Sequence, residues 1–325
     1  MIKSVLIRLS AQAGSQFREV YTGCCIVTGE KPKIVSFTTT KIIMGQAERL
    51  TSETYIYRAR VFRCMYRIKP IELKGEKMTA ANAAEYYLMD KLYGPKYNRI
   101  LTLRQNANDR LAKIAQTHPF HEPNHTVHDV FVSGVILAKK YGISGEDLFV
   151  LCVSLLKHDL GYCEKYWQNE KIGADETARY LRNLNYHKQV SDHGHHIVMA
   201  TQLPQKPITR LAKIGCDSDF SSLGGYFLSA GLALLKENAI QFKLGNMPKD
   251  YKLPENELEW LIMQKTFLET QHPYFTEEAE KLFGEQRKLN SIEINSLITG
   301  LKGSPGRTLE QLISLEDWIA PQLPA

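Results

Sequence analysis

The first 68 residues follow the two-residue period that is typical of β-strands. Four runs are rich in β-branched and aromatic residues, and in the last of them Tyr57, Ala59 and Val61 share one face. Residues 29–32, Gly-Glu-Lys-Pro, mark a turn. The pattern predicts a small antiparallel sheet or barrel of about four strands. The runs are KSVLIRLS, REVYTGCCIVTG, PKIVSFTTTKIIM and ETYIYRARVFRCMYRI.

After a polar segment with Gly and Pro at 69–79, predicted to be a linker, apolar residues recur at helical spacing. Thr79 is predicted to cap the first helix, and Gly94 and Pro95 to end it. Residues 243–257 are predicted to form a loop. The predicted fold class is therefore mainly α, with a small antiparallel β module at 1–77 and an all-α domain at 78–325. Further helices are predicted near 98–117, 124–141, 144–160, 173–184, 188–202, 207–236, 256–271, 275–289, 291–301 and 308–319.

Charge is distributed unevenly between these two parts. Residues 1–77 carry 14 Lys and Arg against 6 Asp and Glu, and the remaining residues carry 27 against 29. The basic front part is consistent with a solvated sheet face, or with a surface for nucleic acid, lipid or another acidic ligand. The uneven charge supports a division into two modules.

No apolar run approaches the length of a bilayer span, and the first residues lack the apolar centre of a signal peptide. The expected location is therefore the cytoplasm, without membrane contact. The six cysteines are scattered without a C-x-x-C pair, which favours buried thiols over zinc held by cysteine.

A histidine and an aspartate stand side by side where an apolar helix should end, in LLKHDLGY at 155–162. The preceding run is apolar nearly all round, and Gly161 is predicted to end it in a left-handed conformation. A buried unpaired carboxylate is very unfavourable, and a divalent cation removes this difficulty for both side chains. His158 and Asp159 are therefore candidate metal ligands, and a capping role is the alternative.

Four of the ten histidines lie within the fourteen residues THPFHEPNHTVHDV at 117–130. Pro123 suits a first helical position, so His125 should fall in the first turn and His121 in the loop before it. His125 then shares a core-facing side with Val132 and Ile136. A third segment, KIGCDSDFSSLGG at 213–225, sets Asp217 and Asp219 among apolar residues. Each of these two acids is a candidate cap or a candidate ligand.

Together these segments resemble the HD-domain metal-dependent phosphohydrolases, in the order His, His-Asp, Asp. The resemblance covers about 80–236, with the core motifs at 118–236. FHEPNHTVHDV resembles Y-H-N-x-x-H, which one branch shares with cyclic-nucleotide phosphodiesterases, and LLKHDLGY resembles H-D-x-G-Y. NEKIGADETARYLRNL resembles H-E-x-x-S-A-x-x-A-x-x-x-L, and ATQLPQKPITRLAKIGCDSDFSSLG resembles T-x-x-P…D-A-D-x-x-x-L-G.

The resemblance implies that His125, His158, Asp159 and Asp219 bind a divalent metal, with Asp217 as the alternative to Asp219. The N/O ligand set suits Mn²⁺, Fe²⁺, Zn²⁺, Ni²⁺, Co²⁺ or Mg²⁺. The implied activity is hydrolysis of a nucleotide phosphoester by metal-activated water, with the water's proton passing to Asp159 or Asp219.

The resemblance also implies that His121 protonates the leaving oxygen. Lys157 is predicted to hold phosphate, with a surface lysine as the alternative, and Glu170 to orient a ligand histidine or to cap a helix. The sequence departs from the family pattern at Phe120, Glu122, Asn169 and Gly173, where the motifs have Tyr, Asn, His and Ser. These departures leave the substrate and a second metal open.

Two other functions fit the sequence. One is a signalling regulator whose metal pocket binds a nucleotide without hydrolysing it. The other is a di-iron oxygenase, which requires additional histidine ligands. Such ligands could come from a second cluster in YHKQVSDHGHHIVMAT, whose alternative is a solvated helix face; its histidines are His187, His193, His195 and His196. The oligomeric state is left open.

Overall fold

The computed structural model describes the backbone of residues 4–13, 17–28, 31–43, 46–49, 71–73, 76–92, 94–270 and 274–314, and the side chains of 79–92, 94–270 and 274–314. The chain divides into two units, the second of which spans Met65–Ile319. The first unit contains antiparallel strands in the order β1-β2-β3-β4, with a register shift between Cys24 and Cys25. The strands are β1 Ser4–Ala13, β2 Phe17–Thr28, β3 Lys31–Ile43 and β4 Gln46–Arg49.

The second unit begins with a two-stranded pair within the segment predicted to be a linker, β5 Ile71–Leu73 and β6 Glu76–Met78. The strand predicted at 53–68 lies outside the described residues, as does the end of the helix predicted near 308–319. Helices follow in this unit, and the prediction of a mainly helical chain is confirmed. They are α1 Ala80–Lys91, α2 Pro95–Ile114, α3 Phe131–Lys140, α4 Gly145–Lys157, α5 Asn169–Asn183, α6 Lys188–Met199, α7 Arg210–Asp219, α8 Phe227–Lys243, α9 Glu257–Thr270, α10 Glu277–Gly300 and α11 Leu309–Ser314. No helix among the described residues is both long and apolar enough to traverse a bilayer.

Helix α4 lies at the centre of the helical domain. Every residue from Leu148 to Lys157 is buried, as the apolar run in the sequence requires. Helices α2, α3, α5, α6 and α7 pack around it. The predicted cap of α1 is also confirmed, because the hydroxyl of Thr79 accepts a hydrogen bond from the amide of Asn82 at 3.2 Å.

The helix predicted at 207–236 is broken immediately after Asp219. Helix α7 ends there, a 3₁₀ turn spans Phe220–Gly224, and α8 begins at Phe227. The side-chain amide of Asn290 on α10 donates to the carbonyls of Leu223, at 2.8 Å, and Gly225, at 3.3 Å. Carbonyls that a continuous helix would use internally are therefore bound by another helix, which no local pattern reveals.

The same contact explains why two predicted helices are one. The sequence predicts separate helices at 275–289 and 291–301, but α10 runs without interruption from Glu277 to Gly300. Asn290 is buried inside it and directs its amide to the neighbouring turn rather than to its own backbone. An asparagine that favours a helix end in isolation is thus accommodated in a helix interior.

Gly161 does not end α4 in the predicted left-handed conformation, since its φ is not positive. Helix α4 ends at Lys157, and a 3₁₀ turn at Leu160–Cys163 follows. Glycine is needed for a different reason: a Cβ at Gly161 would lie 2.0 Å from the carbonyl oxygen of Asn169. The start of α5 therefore packs directly on the turn that follows Asp159.

Gly173 permits a second close approach of α5 to this region. We expect Gly173→Ala to lower the free energy of unfolding by about 2 kcal/mol, since its Cβ would lie 2.5 Å from the carbonyl oxygen of Lys157 and 2.7 Å from that of His158. The measurement is urea unfolding followed by circular dichroism. The matched control is Gly300→Ala at the end of α10, where a Cβ meets nothing within 4 Å. Equal stabilities of the two variants would contradict the prediction.

Candidate metal centre

Four of the predicted site residues meet at the ends of three helical segments. His125 lies in a π-helical turn, Asn124–Val130, and wider turns of this kind often occur at functional sites. His158 and Asp159 directly follow α4, and Asp219 is the last residue of α7. The rings of His125 and His158 are 6.0 Å apart between centroids. The structure therefore brings together residues that lie up to 94 positions apart in the chain.

The distances between their polar atoms suit a single small cation. Nε2 of His125 and Nε2 of His158 lie 3.4 and 3.5 Å from Oδ1 of Asp219. Oδ2 of Asp159 lies 3.0 Å from Nε2 of His158 and 3.6 Å from Nε2 of His125. Ligand atoms about 2.1 Å from one ion are separated by roughly 3.0 Å at octahedral and 3.4 Å at tetrahedral angles. The donor atoms fit a divalent cation.

The histidine at the end of α4 is oriented for this purpose. Nδ1 of His158 lies 2.8 Å from the carbonyl oxygen of Leu155, so Nδ1–H donates, and in the neutral imidazole Nε2 carries the lone pair that can bind a cation. Nε2 is buried and has no hydrogen-bond partner in a suitable direction. An imidazole nitrogen without a hydrogen-bond partner that faces two carboxylates is the strongest local indication of a cation-binding position. Among the described residues, the group whose ligand atoms all lie within 4.8 Å of one another is His125, His158 and Asp219.

The protonation states of these neighbouring imidazoles and carboxylates depend on one another. Burial by itself lowers the pKa of His158, but the carboxylates of Asp159 and Asp219 raise that pKa well above its ordinary value. Burial raises the pKa of Asp159 and Asp219, yet the nearby imidazoles of His158 and His125 hold both below their ordinary value. Two carboxylates that stay ionised in a buried site attract positive charge, which a proton or a metal ion can supply.

Two neighbours that the sequence did not suggest hold the carboxylates in place. The hydroxyl of Thr126 donates to Oδ2 of Asp159 at 2.7 Å. The amide of Gln205 donates to Oδ2 of Asp219 at 3.1 Å, and the other oxygen, Oδ1, faces the two imidazoles. Outer partners of this kind fix the direction of a ligand and increase its affinity for metal.

Removal of the hydroxyl that orients Asp159 should weaken metal binding. We expect Thr126→Val to raise the dissociation constant of Mn²⁺ by roughly 10-fold, because valine matches threonine in shape but donates no hydrogen bond. Isothermal titration calorimetry measures the change. The control is Thr177→Val, which removes another fully buried hydroxyl, one that donates to the carbonyl of Gly173 at 2.8 Å. Equal affinity of the two variants would show that the hydroxyl of Thr126 does not orient a ligand.

His121 lies beside the metal-ligand group and is paired with a carboxylate. Its Nδ1 is 2.6 Å from Oε1 of Glu237, and its ring stacks on Tyr162 with centroids 3.9 Å apart. Oε2 of Glu237 accepts hydrogen bonds from the amides of Phe120, at 3.0 Å, and His121, at 3.1 Å. Burial lowers the pKa of His121, but Glu237 and the site carboxylates raise it above its ordinary value. The imidazolium is thereby favoured.

Glu237 was missed in the sequence, although it lies on α8 and is completely buried. The signal was a glutamate among the apolar positions of FLSAGLALLKENAIQFK, where a charge needs a partner. That partner is 116 residues away, so no spacing rule could identify it.

Lys157 does not have the predicted phosphate-binding position, nor is it a surface lysine. Its ammonium is buried and donates to Oε2 of Glu176 at 3.0 Å. Arg110 binds the same carboxylate with both terminal nitrogens, at 2.8 and 3.0 Å. The charge of Lys157 therefore belongs to an internal ion pair with Glu176 on α5.

Asp217, the alternative ligand, is placed elsewhere. Its two carboxylate oxygens accept hydrogen bonds from the amides of Phe275, at 2.7 Å, and Thr276, at 2.9 Å. Thr276 is the N-cap of α10, so Asp217 satisfies backbone donors at the start of that helix. Burial raises the pKa of Asp217 to about 6. Of the two acids, only Asp219 faces the histidines.

The other predicted residues, Glu170 and the second histidine cluster, are not part of the metal-capable group among the described residues. Glu170 lies in the first turn of α5, and burial together with the charges of Asp159 and Asp219 raises its pKa. In the second histidine cluster, Nε2 of His193 contacts the hydroxyl of Thr209 at 3.1 Å, and Nε2 of His195 lies 3.3 Å from Asp175. Within the described part of the chain, no metal-capable group includes these histidines.

A scan against protein-family models and searches of curated proteins and of solved structures find no match to this chain.

Proposed function

We propose that the helical domain is a metal-dependent phosphohydrolase of the HD-domain type that hydrolyses a phosphoester of a nucleotide, in the manner of the cyclic-nucleotide phosphodiesterases. One observation carries the proposal: the ligand atoms of His125, His158 and Asp219 all lie within 4.8 Å of one another, and Oδ2 of Asp159 lies 3.0 and 3.6 Å from the two imidazole nitrogens. The resemblance implies these same four residues as ligands, with Asp217 as its alternative to Asp219. The proposed cofactor is Mn²⁺, Fe²⁺, Zn²⁺, Ni²⁺, Co²⁺ or Mg²⁺.

Different residues carry out the separate proton transfers of the proposed reaction. A bound divalent ion supplies Lewis acidity toward a phosphoryl oxygen and lowers the pKa of water toward neutrality. One of the two carboxylates, Asp159 or Asp219, takes up the proton that the attacking water loses. His121, charged through Glu237, donates a proton to the departing ribose oxygen.

The position of the acid supports ester cleavage in particular. An alkoxide is a poor leaving group, so its protonation in the transition state is valuable. The rings of His121 and His125 are 5.8 Å apart between centroids, which sets a proton donor next to a proposed metal ligand. Nothing in the described residues favours the di-iron alternative, because no metal-capable group among them includes the histidines of the second cluster.

Elemental analysis of the purified protein, combined with a nucleotide panel, tests the proposal. We expect about one divalent ion per chain, and Mn²⁺-dependent hydrolysis of at least one nucleoside mono-, di- or triphosphate or cyclic nucleotide. Chelation by EDTA should abolish turnover. A protein that binds no ion would overturn the proposal. Nucleotide binding without turnover, unchanged by His121→Ala, would favour the signalling regulator instead.

For the basic residues 1–77, the sequence predicts either a solvated sheet face or a surface for nucleic acid or another acidic ligand. Their side chains lie outside the described residues, so both interpretations stay predictions.

A further inference from the structure

An ion cluster lies behind the proposed metal ligands, and three residues form it: Arg110 on α2, Lys157 at the end of α4 and Glu176 on α5. Glu176 accepts from Lys157 at 3.0 Å and from two nitrogens of Arg110 at 2.8 and 3.0 Å. The bidentate geometry fixes the guanidinium plane as well as its distance. The cluster therefore ties three helices together at one point.

This cluster is bound to the residues that directly precede and follow His158 and Asp159. Lys157 directly precedes His158, and its ammonium is bound to Glu176. Leu160 directly follows Asp159, and its carbonyl lies 3.4 Å from Nη2 of Arg110. His158 and Asp159 thus lie between Lys157 and Leu160, both of which are held by hydrogen bonds. Lys157 binds Glu176 directly, and the carbonyl of Leu160 is bound by Arg110, which also binds Glu176.

A second contact brings α5 against the same backbone. Gly173 lies one helical turn before Glu176, on the same side of α5, and the absence of a Cβ lets α5 approach the carbonyls of Lys157 and His158. Helix α5 therefore contacts the ligand segment, residues 157–160, in two ways. The backbone at Gly173 packs on its carbonyls, and Glu176 forms the ion pair with Lys157. Both contacts limit movement of His158.

Stability alone is a weak reason for such a cluster. The side chains of Lys157 and Glu176 are each 8% exposed, so burial removes most of their hydration. Buried ion pairs rarely stabilise a fold more than apolar side chains of the same size, because desolvation offsets the attraction. Two cations also share one carboxylate here, which adds repulsion between them.

We propose that Arg110, Lys157 and Glu176 act as positioning residues that fix His158 and Asp159 for metal binding. The inference rests on the proposed function, because it assumes that these two ligands bind an ion. It predicts that the cluster can be replaced without loss of the fold, but not without loss of metal affinity.

The test replaces the whole cluster by apolar residues. The triple variant Arg110→Met, Lys157→Met, Glu176→Leu keeps the volume and leaves no unpaired charge. Its thermal unfolding midpoint should stay within a few degrees of the wild type, since such replacements are often neutral or stabilising. Its dissociation constant for Co²⁺, measured by calorimetry and by the visible absorption of the bound ion, should rise roughly 10- to 100-fold.

A matched control removes an ion pair that does not contact the ligand segment. Arg104 on α2 and Glu85 on α1 are 3.3 Å apart, and the double variant Arg104→Met, Glu85→Leu should bind Co²⁺ as the wild type does. Arg110→Lys provides a second measurement if the triple variant does not fold. It keeps the charge but loses the bidentate pair and the contact to Leu160, so weaker Co²⁺ binding is expected again.

The outcomes separate the two proposals. If the wild type binds Co²⁺ and the folded triple variant binds it equally well, the positioning role is overturned while the metal site stands. Wild-type affinity in Arg110→Lys overturns that role in the same way when the triple variant is insoluble. If the wild type itself binds no Co²⁺, the proposed function fails, and this inference fails with it.

Discussion

Exchange of Asp219 for asparagine is expected to remove metal binding while leaving the helices intact. The carboxylate lies 3.4 and 3.5 Å from the two imidazole nitrogens, and asparagine keeps its size but not its charge. We expect a loss of metal affinity of at least about 100-fold, beyond the loss caused by an outer-sphere change. If the ion contributes about 4 kcal/mol to the transition state, turnover should fall on the order of 1000-fold.

The same substitution two residues earlier should have the opposite effect. Asp217 accepts two backbone amides at the start of α10, and an asparagine offers one oxygen where two donors converge. Asp217→Asn should therefore lower the free energy of unfolding by about 2 kcal/mol but retain the metal. Calorimetric unfolding and metal analysis on both variants give a direct comparison.

This pair of variants distinguishes a ligand from a structural carboxylate on one helix. Full metal occupancy in Asp219→Asn, or its loss in folded Asp217→Asn, would contradict the assignment. Both measurements are made on the full chain, so neither depends on the substrate.

Replacement of His121 is expected to lower kcat strongly without removing the metal. Loss of a general acid typically costs roughly 10²- to 10⁴-fold, and His121→Ala should fall in this range with a nucleotide substrate. With a p-nitrophenyl phosphoester the loss should be much smaller, because p-nitrophenolate departs without protonation. An equal loss with both substrates would argue that His121 does not act as the acid.

The pH profile gives an independent test through Glu237. A general acid must be protonated, so kcat/KM falls as pH rises through the pKa of His121. Glu237 raises that pKa above its ordinary value, and the alkaline limb should therefore lie above pH ~6.5. In Glu237→Gln the supporting charge is absent, so the limb should move to lower pH. A limb that stays in place would show that this carboxylate does not set the acid's pKa.

The same pair links pH to stability, with opposite signs for its members. The pKa of His121 is raised in the folded state, so its contribution is present below the unfolded pKa and is lost as pH rises through the folded value. The pKa of Glu237 is lowered, so its contribution is present above the unfolded pKa and is lost as pH falls through the folded value. The ion pair therefore stabilises the fold most between the two unfolded-state pKa values, about 4.3 for glutamate and about 6.5 for histidine, and less as pH moves from this window toward either folded-state value.

Much of the helical architecture could be predicted because periodic apolar positions and caps are local signals. The capped start of α1 at Thr79 and the buried α4 followed directly from them. The predictions were wrong where a distant helix contributed the decisive hydrogen bonds. Asn290 donates to the carbonyls of Leu223 and Gly225. These hydrogen bonds join the break in one predicted helix to the interior of α10, which was predicted as two helices.

The sequence by itself determined which residue types could bind a cation, since histidine and aspartate at apolar helix ends carry a cost that a ligand can offset. Only the tertiary structure decided how each was used. It directed Asp219 to the imidazoles and Asp217 to a helix start, buried Lys157 against Glu176, and gave His121 its partner Glu237. The physical reason is that the role of a charged side chain depends on the groups that pack against it. In this fold those groups lie on helices that are distant in the chain.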